Sequence, residues 1–137
     1  MKKFDAILLV DDDESTNYLH TMYLEEWEVT ENIYTALNGQ EAIDFLTTNK
    51  DFQASNRSLI LLDVNMPIMN GFEFLEQYEK LSDEFKASIV VVMLTSSLHA
   101  KDQAAARGFK DLGGYINKPL SYERMVEILK ELEGVTT

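Results

Sequence analysis

The stretch LILLDVNMPIMNGFEF, Leu59 to Phe74, decides the fold. Its four opening aliphatics read as a short strand covered on both faces. The strand ends on Asp63, and Met66-Pro67 and Gly71 break the chain before a helical pattern starts at Phe72. A carboxylate at the tip of a buried strand is costly to desolvate unless a positive group meets it. The rest of the chain must supply both the neighbours of that strand and the positive group.

Two further continuous apolar runs, Ala6 to Val10 and Ile89 to Leu94, have the same character. Val29 to Ala36 is more polar and reads as an edge strand. Leu112 to Asn117, interrupted by Gly113-Gly114, reads as a fifth strand. Between these runs lie segments of helical spacing. The first carries Leu19, Met22, Tyr23 and Trp27, and the second Ala42, Ile43, Phe45 and Leu46. The third carries Phe72, Leu75 and Tyr78, and the fourth is the alanine-rich segment 100–107. The last has a stripe of Met125, Val126, Ile128, Leu129 and Leu132. Alternating strands and helices predict an α/β domain, a parallel sheet with helices on both faces. Thr47 to Ser58 is expected to be a loop that extends the second helix briefly. With neither repeat nor linker, residues 1–137 are expected to form one domain with no second unit.

An apolar share of 45% with 26% charged residues is that of an ordinary globular chain. There is no cysteine, which excludes a disulfide framework or a thiolate site. The apolar run in MKKFDAILLVDDD is too short for a signal peptide. No stretch approaches membrane-spanning length, so a cytoplasmic protein without a membrane partner is expected. Twelve basic against 24 acidic side chains leave a formal charge of -12, which argues against direct nucleic-acid binding.

Asp11 and Asp12 end the first strand, Asp63 the third and Thr95 the fourth, while Lys118 follows the fifth. In a parallel sheet those ends share one edge, where open α/β sheets bind ligands. Each residue alone has a plainer explanation. Asp13 or Ser15 can cap the first helix, Thr95 with Ser96-Ser97 can start the fourth, and Asp63 can cap the third. Together they make a different case. Clustered carboxylates repel one another unless a cation binds them, and a small oxygen cluster suits Mg2+. Lys118 can pair with Asp63 or with an anion attached to it, and Thr95 offers a hydroxyl donor beside both. A nucleophilic carboxylate, a divalent ion, an ammonium and a hydroxyl make a phosphoryl-transfer site.

ILLVDDD at Ile7–Asp13, LLDVNMPIMNG at Leu61–Gly71, VVMLTSS at Val91–Ser97 and YINKPL at Tyr115–Leu120 carry a specific likeness. In order and spacing, over essentially the whole chain, the sequence resembles the receiver domain of bacterial two-component response regulators. The resemblance implies a flavodoxin-like sheet of order 2-1-3-4-5 with five helices. It implies that Asp63 accepts a phosphoryl group from a histidine kinase or a histidine phosphotransfer protein. Mg2+ would be held by Asp12, Asp11, Asp63 and the backbone carbonyl of Asn65. Lys118 would neutralise the phosphoryl group and Thr95 would donate to it. Thr95 and Tyr115 would then shift, remodelling a face made by the fourth helix, the fifth strand and the fifth helix, which docks a downstream protein. Asn65 and Ser97 stand where the family tunes phosphoryl lifetime, and Lys118-Pro119 stands where many members have a cis bond. The implied protein is a stand-alone signalling switch, not an enzyme, although it supports its own Mg2+-dependent phosphorylation and dephosphorylation.

Two other classes compete. Asp11-x-Asp13-x-Ser15 loosely resembles the first motif of haloacid-dehalogenase-type phosphatases, with Asp11 as nucleophile and Thr95 and Lys118 as later motifs. That family needs an acidic pair after its lysine, and the nearest acids are Glu123 and Glu127. The other class is a docking module that never takes phosphate, against which the complete set Asp12, Asp63, Thr95 and Lys118 argues. His20 and His99 are expected to be solvated surface residues of helices.

Overall fold

The computed structural model describes residues 3–96 and 99–135, the last four as backbone only. Five parallel strands form one sheet of order β2-β1-β3-β4-β5: β1 (Ala6–Val10), β2 (Ile33–Ala36), β3 (Ser58–Leu62), β4 (Ile89–Thr95) and β5 (Leu112–Asn117). The helices are α1 (Glu14–Glu26), α2 (Gly39–Thr48), α3 (Lys50–Gln53), α4 (Gly71–Tyr78), α5 (Asp83–Lys86), α6 (Ala100–Arg107) and α7 (Tyr122–Val135). The expected order and class are those of the sequence reading.

Continuous apolar strands make sense because both faces of the sheet are covered. Leu8, Val10, Ile60, Leu62, Val91 and Met93 point to one face, where Leu46 of α2, Phe74 and Leu75 of α4 and Ala106 of α6 close over them. Ile7, Leu9, Leu59, Leu61, Val92 and Leu94 point to the other, beneath Leu24 of α1 and Met125 and Leu129 of α7. Burying each such side chain contributes roughly 1.5–3 kcal/mol. The register aligns Val10 with Leu62 and Leu62 with Met93, so the strand ends arrive at one edge together.

Several expectations change. Among the described residues, two one-turn helices, α3 and α5, raise the helix count from five to seven. Asn49 and Ser82 cap them by accepting from Phe52 N–H and Phe85 N–H. The segment read as a loop is therefore the end of α2 followed by α3, anchored by buried Phe52. The second strand starts at Ile33 rather than Val29, because Glu28 turns left-handed (φ 53°) and only an isolated bridge joins Thr30 to Phe4. Gly113 is a bulge: Val91 faces Leu112 while Val92 faces Gly114, which accounts for the interrupted look of β5. Asp63 caps nothing. Asn70 caps α4 in a reciprocal capping box with Glu73. α6 begins at Ala100 after His99, which makes no side-chain cap bond, so Thr95 and Ser96 do not start it. Ser97 lies outside the described residues, as does the side chain of Leu132.

The inner face of α1 is also not the one the apolar spacing indicated. Leu19 and Met22 are 41% and 48% exposed, whereas Asn17, His20 and Leu24 are buried. His20, expected at the surface, is only 3% exposed. His99 is exposed as expected. Among the described residues no helix is long and apolar enough to cross a membrane.

Candidate phosphoacceptor and metal site

The C-terminal edge of β1, β3, β4 and β5 brings Asp11, Asp12, Asp63, Thr95 and Lys118 together. Carboxylate oxygens of Asp11, Asp12 and Asp63 all lie within 4.8 Å of one another. Asp11 and Asp63 are buried and Asp12 is exposed. Lys118 Nζ is 2.5 Å from Asp11 Oδ2 and 3.6 Å from Asp63 Oδ1. The positive group demanded by the buried strand tip is thus Lys118, which sits closer to Asp11 than to Asp63. The Lys118-Pro119 bond is cis.

Backbone pairing holds these residues. Asp63 N–H donates to Val10 O (2.9 Å), and Asp11 N–H donates to Ala36 O (3.0 Å). Lys118 N–H donates to Thr95 O (2.8 Å), tying the ends of β4 and β5. Thr95 is fully buried. Tyr115 is half-buried on β5 opposite Met93, two residues before the level of Thr95. Asn65 is exposed in the loop after Asp63.

That loop has little freedom. Gly71 N–H donates to Val64 O (2.9 Å), and Gly39 N–H donates to Met69 O (2.9 Å). A Cβ on Gly71 would stand 2.4 Å from Asp63 O, and one on Gly39 would stand 2.8 Å from Met69 O. Only glycine lets α4 start against the backbone of the phosphoacceptor candidate. Met69 N–H donates to Pro67 O (2.6 Å) across Ile68, whose φ is 68°. That is a tight γ-turn on a β-branched residue, and a strained one.

Burial is the largest influence on Asp63 and pushes its carboxyl up to about 6. Lys118 opposes the rise, Asp11 and Asp12 add to it, and Val64 N–H, donating to Asp63 Oδ1 at 2.9 Å, opposes it. The site is therefore short of positive charge. Three hard carboxylate oxygens in reach of one another fit a divalent cation and would be relieved by it.

Asp13, the third acid of the run, faces elsewhere. Its Oδ1 accepts from Ser15 N–H and Thr16 N–H and caps α1. The bonds from Thr16, then Ser15, hold its carboxyl below the usual carboxylate range. The phosphatase-like motif, which needs Asp11 and Asp13 acting together, is thereby divided between an ion pair and a helix cap.

The sequence reasoning missed Asn17 and His20, which pack beneath Asp11. Asn17 Nδ2 donates to Asp11 O (2.9 Å). Burial, then Lys118, lowers the His20 pKa below its ordinary value, against an opposing effect of Asp11. The signal available was the i, i+3, i+7 spacing of Asn17, His20 and Leu24, which the apolar Leu19 and Met22 obscured.

Comparison with known proteins agrees with this geometry. The response regulator receiver domain matches residues 7–130. The probable methanogenesis regulatory protein FilR2 of Methanothrix harundinacea is 33% identical over 129 residues, 91% of this chain and 81% of that protein. The probable transcriptional regulator ycf29 of Porphyra purpurea is 36% identical over 106 residues, covering 74% of this chain but 44% of its own length. A two component response regulator from Cytophaga hutchinsonii superposes with a TM-score of 0.83 at 30% identity, over 97% of this chain and 99% of that one. The chain belongs to the response regulator receiver domain family. Its class is that of phosphorylation-dependent signalling domains in two-component systems, which act with histidine kinases and downstream effectors rather than as enzymes.

Proposed function

We propose that Asp63 is the phosphoacceptor of this receiver, with Asp11, Asp12, Asp63 and the Asn65 carbonyl holding Mg2+. The observation that carries the reading is the cluster of three carboxylates within 4.8 Å, bridged by Lys118 between Asp11 and Asp63. When bound, Mg2+ supplies the charge neutralisation that brings an anionic phosphoryl group up to anionic oxygens. A carboxylate oxygen of Asp63 attacks phosphorus, and the bond from phosphorus to the donor's imidazole nitrogen breaks as the donor departs. The donor is the phosphohistidine of a kinase or phosphotransfer protein. Lys118, which lies between Asp11 and Asp63, would neutralise the new phosphoryl oxygens. Thr95 donates its hydroxyl to them, and Tyr115 turns inward behind it.

The output is a population shift on the face formed by α6, β5 and α7, which docks a downstream protein. A few kcal/mol of differential binding is enough for such a shift. Residues 1–137 act in this scheme as a single cytoplasmic signalling unit without direct contact to nucleic acid or membrane.

The test is phosphoryl incorporation from acetyl phosphate, with Mg2+ or EDTA, on wild type, Asp63→Asn and Asp11→Asn. The expected result is Mg2+-dependent label that disappears in Asp63→Asn and persists, weakened, in Asp11→Asn. Label surviving in Asp63→Asn and lost in Asp11→Asn would make Asp11 the nucleophile. No label in any protein would make the chain a phosphorylation-independent docking module.

A further inference from the structure

Beneath the carboxylate cluster, between α1 and the sheet, lies a cavity of about 10 Å³. Aliphatic side chains of β1, β3 and β4 form part of its wall, and the rest is Asp11, Asn17, His20 and Asp63. A water molecule needs roughly 10–15 Å³ and two to four polar partners. The volume therefore suits one water, and the wall supplies polar groups from both the helix and the strand ends.

Asn17 shows that something belongs there. It is 4% exposed, and its Nδ2 is satisfied by Asp11 O at 2.9 Å. Its Oδ1 is buried with no hydrogen-bond partner among the described residues. Buried amide oxygens are nearly always paired, and leaving one unpaired is costly. His20, one turn further along α1 and 3% exposed, brings its ring nitrogens to the same cavity.

We propose that Asn17, His20, Asp11 and Asp63 form a one-water site through which α1 positions the metal-binding carboxylates. Water donates to Asn17 Oδ1 and to a carboxylate oxygen and accepts from the His20 ring, while Asn17 Nδ2 fixes the main chain of Asp11. Asn17 and His20 are positioning residues: they stand behind the ligands and do not touch the cation. This rests on the reading of Asp11, Asp12 and Asp63 as a Mg2+ site.

The experiment is calorimetric titration of Mg2+ into wild type, Asn17→Leu, His20→Leu and His20→Gln, with urea unfolding of each in EDTA. Partners behind metal ligands commonly change affinity by 10–100-fold. Both leucine variants are expected to raise the Mg2+ Kd about tenfold, and His20→Gln, which keeps a donor and an acceptor, to stay within about twofold. Stability in EDTA is expected to fall somewhat in the leucine variants, because Asn17→Leu leaves Asp11 O without its Nδ2 donor and both remove partners of the water, so the Mg2+ Kd is the deciding readout. A merely structural role would lower that stability and leave the Kd alone. Kd values within about twofold of wild type in both leucine variants would overturn the proposal. If Asn17→Leu does not fold, the two His20 variants decide the matter by the same criterion. A crystal structure is expected to place a water within hydrogen-bond distance of Asn17 Oδ1, and a clear map with none would equally overturn it. Wild type that binds no Mg2+ would remove the metal reading and this inference together, whereas normal wild-type binding with unaffected variants would remove this inference alone.

Discussion

Replacing Asp63 by Asn removes a charge that burial disfavours, and the metal-free protein should become more stable for it. The carboxyl rises from 3.8 to about 6 on folding. Because the folded pKa lies above the unfolded one, the folded protein binds the extra proton between about pH 4 and pH 6. Stability from this group is therefore fully present below about pH 4, lost as pH rises to about 6, and flat beyond. Two units at about 1.36 kcal/mol each make the loss roughly 3 kcal/mol. The amide that replaces the carboxyl does not titrate in this range, and its oxygen can still accept from Val64 N–H. The assay is urea unfolding in EDTA from pH 4 to 8, followed by fluorescence of Trp27, the single tryptophan. The stability difference, variant minus wild type, should grow by roughly 3 kcal/mol between about pH 4 and pH 7. Saturating Mg2+ should narrow it by stabilising wild type more than the variant. Parallel pH profiles in the two proteins would refute the reasoning, because they would mean that burial leaves Asp63 unshifted.

Other outcomes follow from the loop after Asp63. Gly71→Ala places a Cβ against the main chain of Asp63 and should cost about 1–3 kcal/mol in urea unfolding while weakening Mg2+ binding measured by calorimetry. Ile68→Asn relieves a left-handed β-branched residue and should add about 1 kcal/mol of stability, read in the same unfolding assay. Asn70→Ala breaks the capping box of α4 and should cost about 1 kcal/mol by chemical unfolding.

The residues at the strand ends were legible because continuous apolar runs mark buried parallel strands, and the first polar residue after each run must fall on the ligand-binding edge. Asp11, Asp63 and Thr95 were placed by that alone, whereas Lys118 comes one residue after Asn117, and the roles of all four came from their combination and the family resemblance. What escaped was set by packing. On α1 the apolar Leu19 and Met22 formed a plausible inner stripe, yet the helix turns Asn17 and His20 inward, and Asn17 bonds Asp11 O. Left-handed backbone at Glu28 and Ile68 carries no glycine to announce it. α3 and α5 are single turns held by one cap each, too short for periodicity to reveal. The Gly113 bulge was visible only as an interruption, since which of two glycines leaves the ladder depends on its partner Val91.

The ion pair between Lys118 and Asp11 spans 107 positions of the chain, and this separation has a consequence for the protein's birth. The acidic half of the site leaves the ribosome long before its lysine does. Until β5 docks on β4, Asp11 and Asp63 lack Lys118, the side-chain cation that pairs with them among the described residues. The nascent domain holds Asp63 in a pocket it has not finished, so the charge balance of the site arrives with the last strand, as a report that synthesis has reached the end of the sheet.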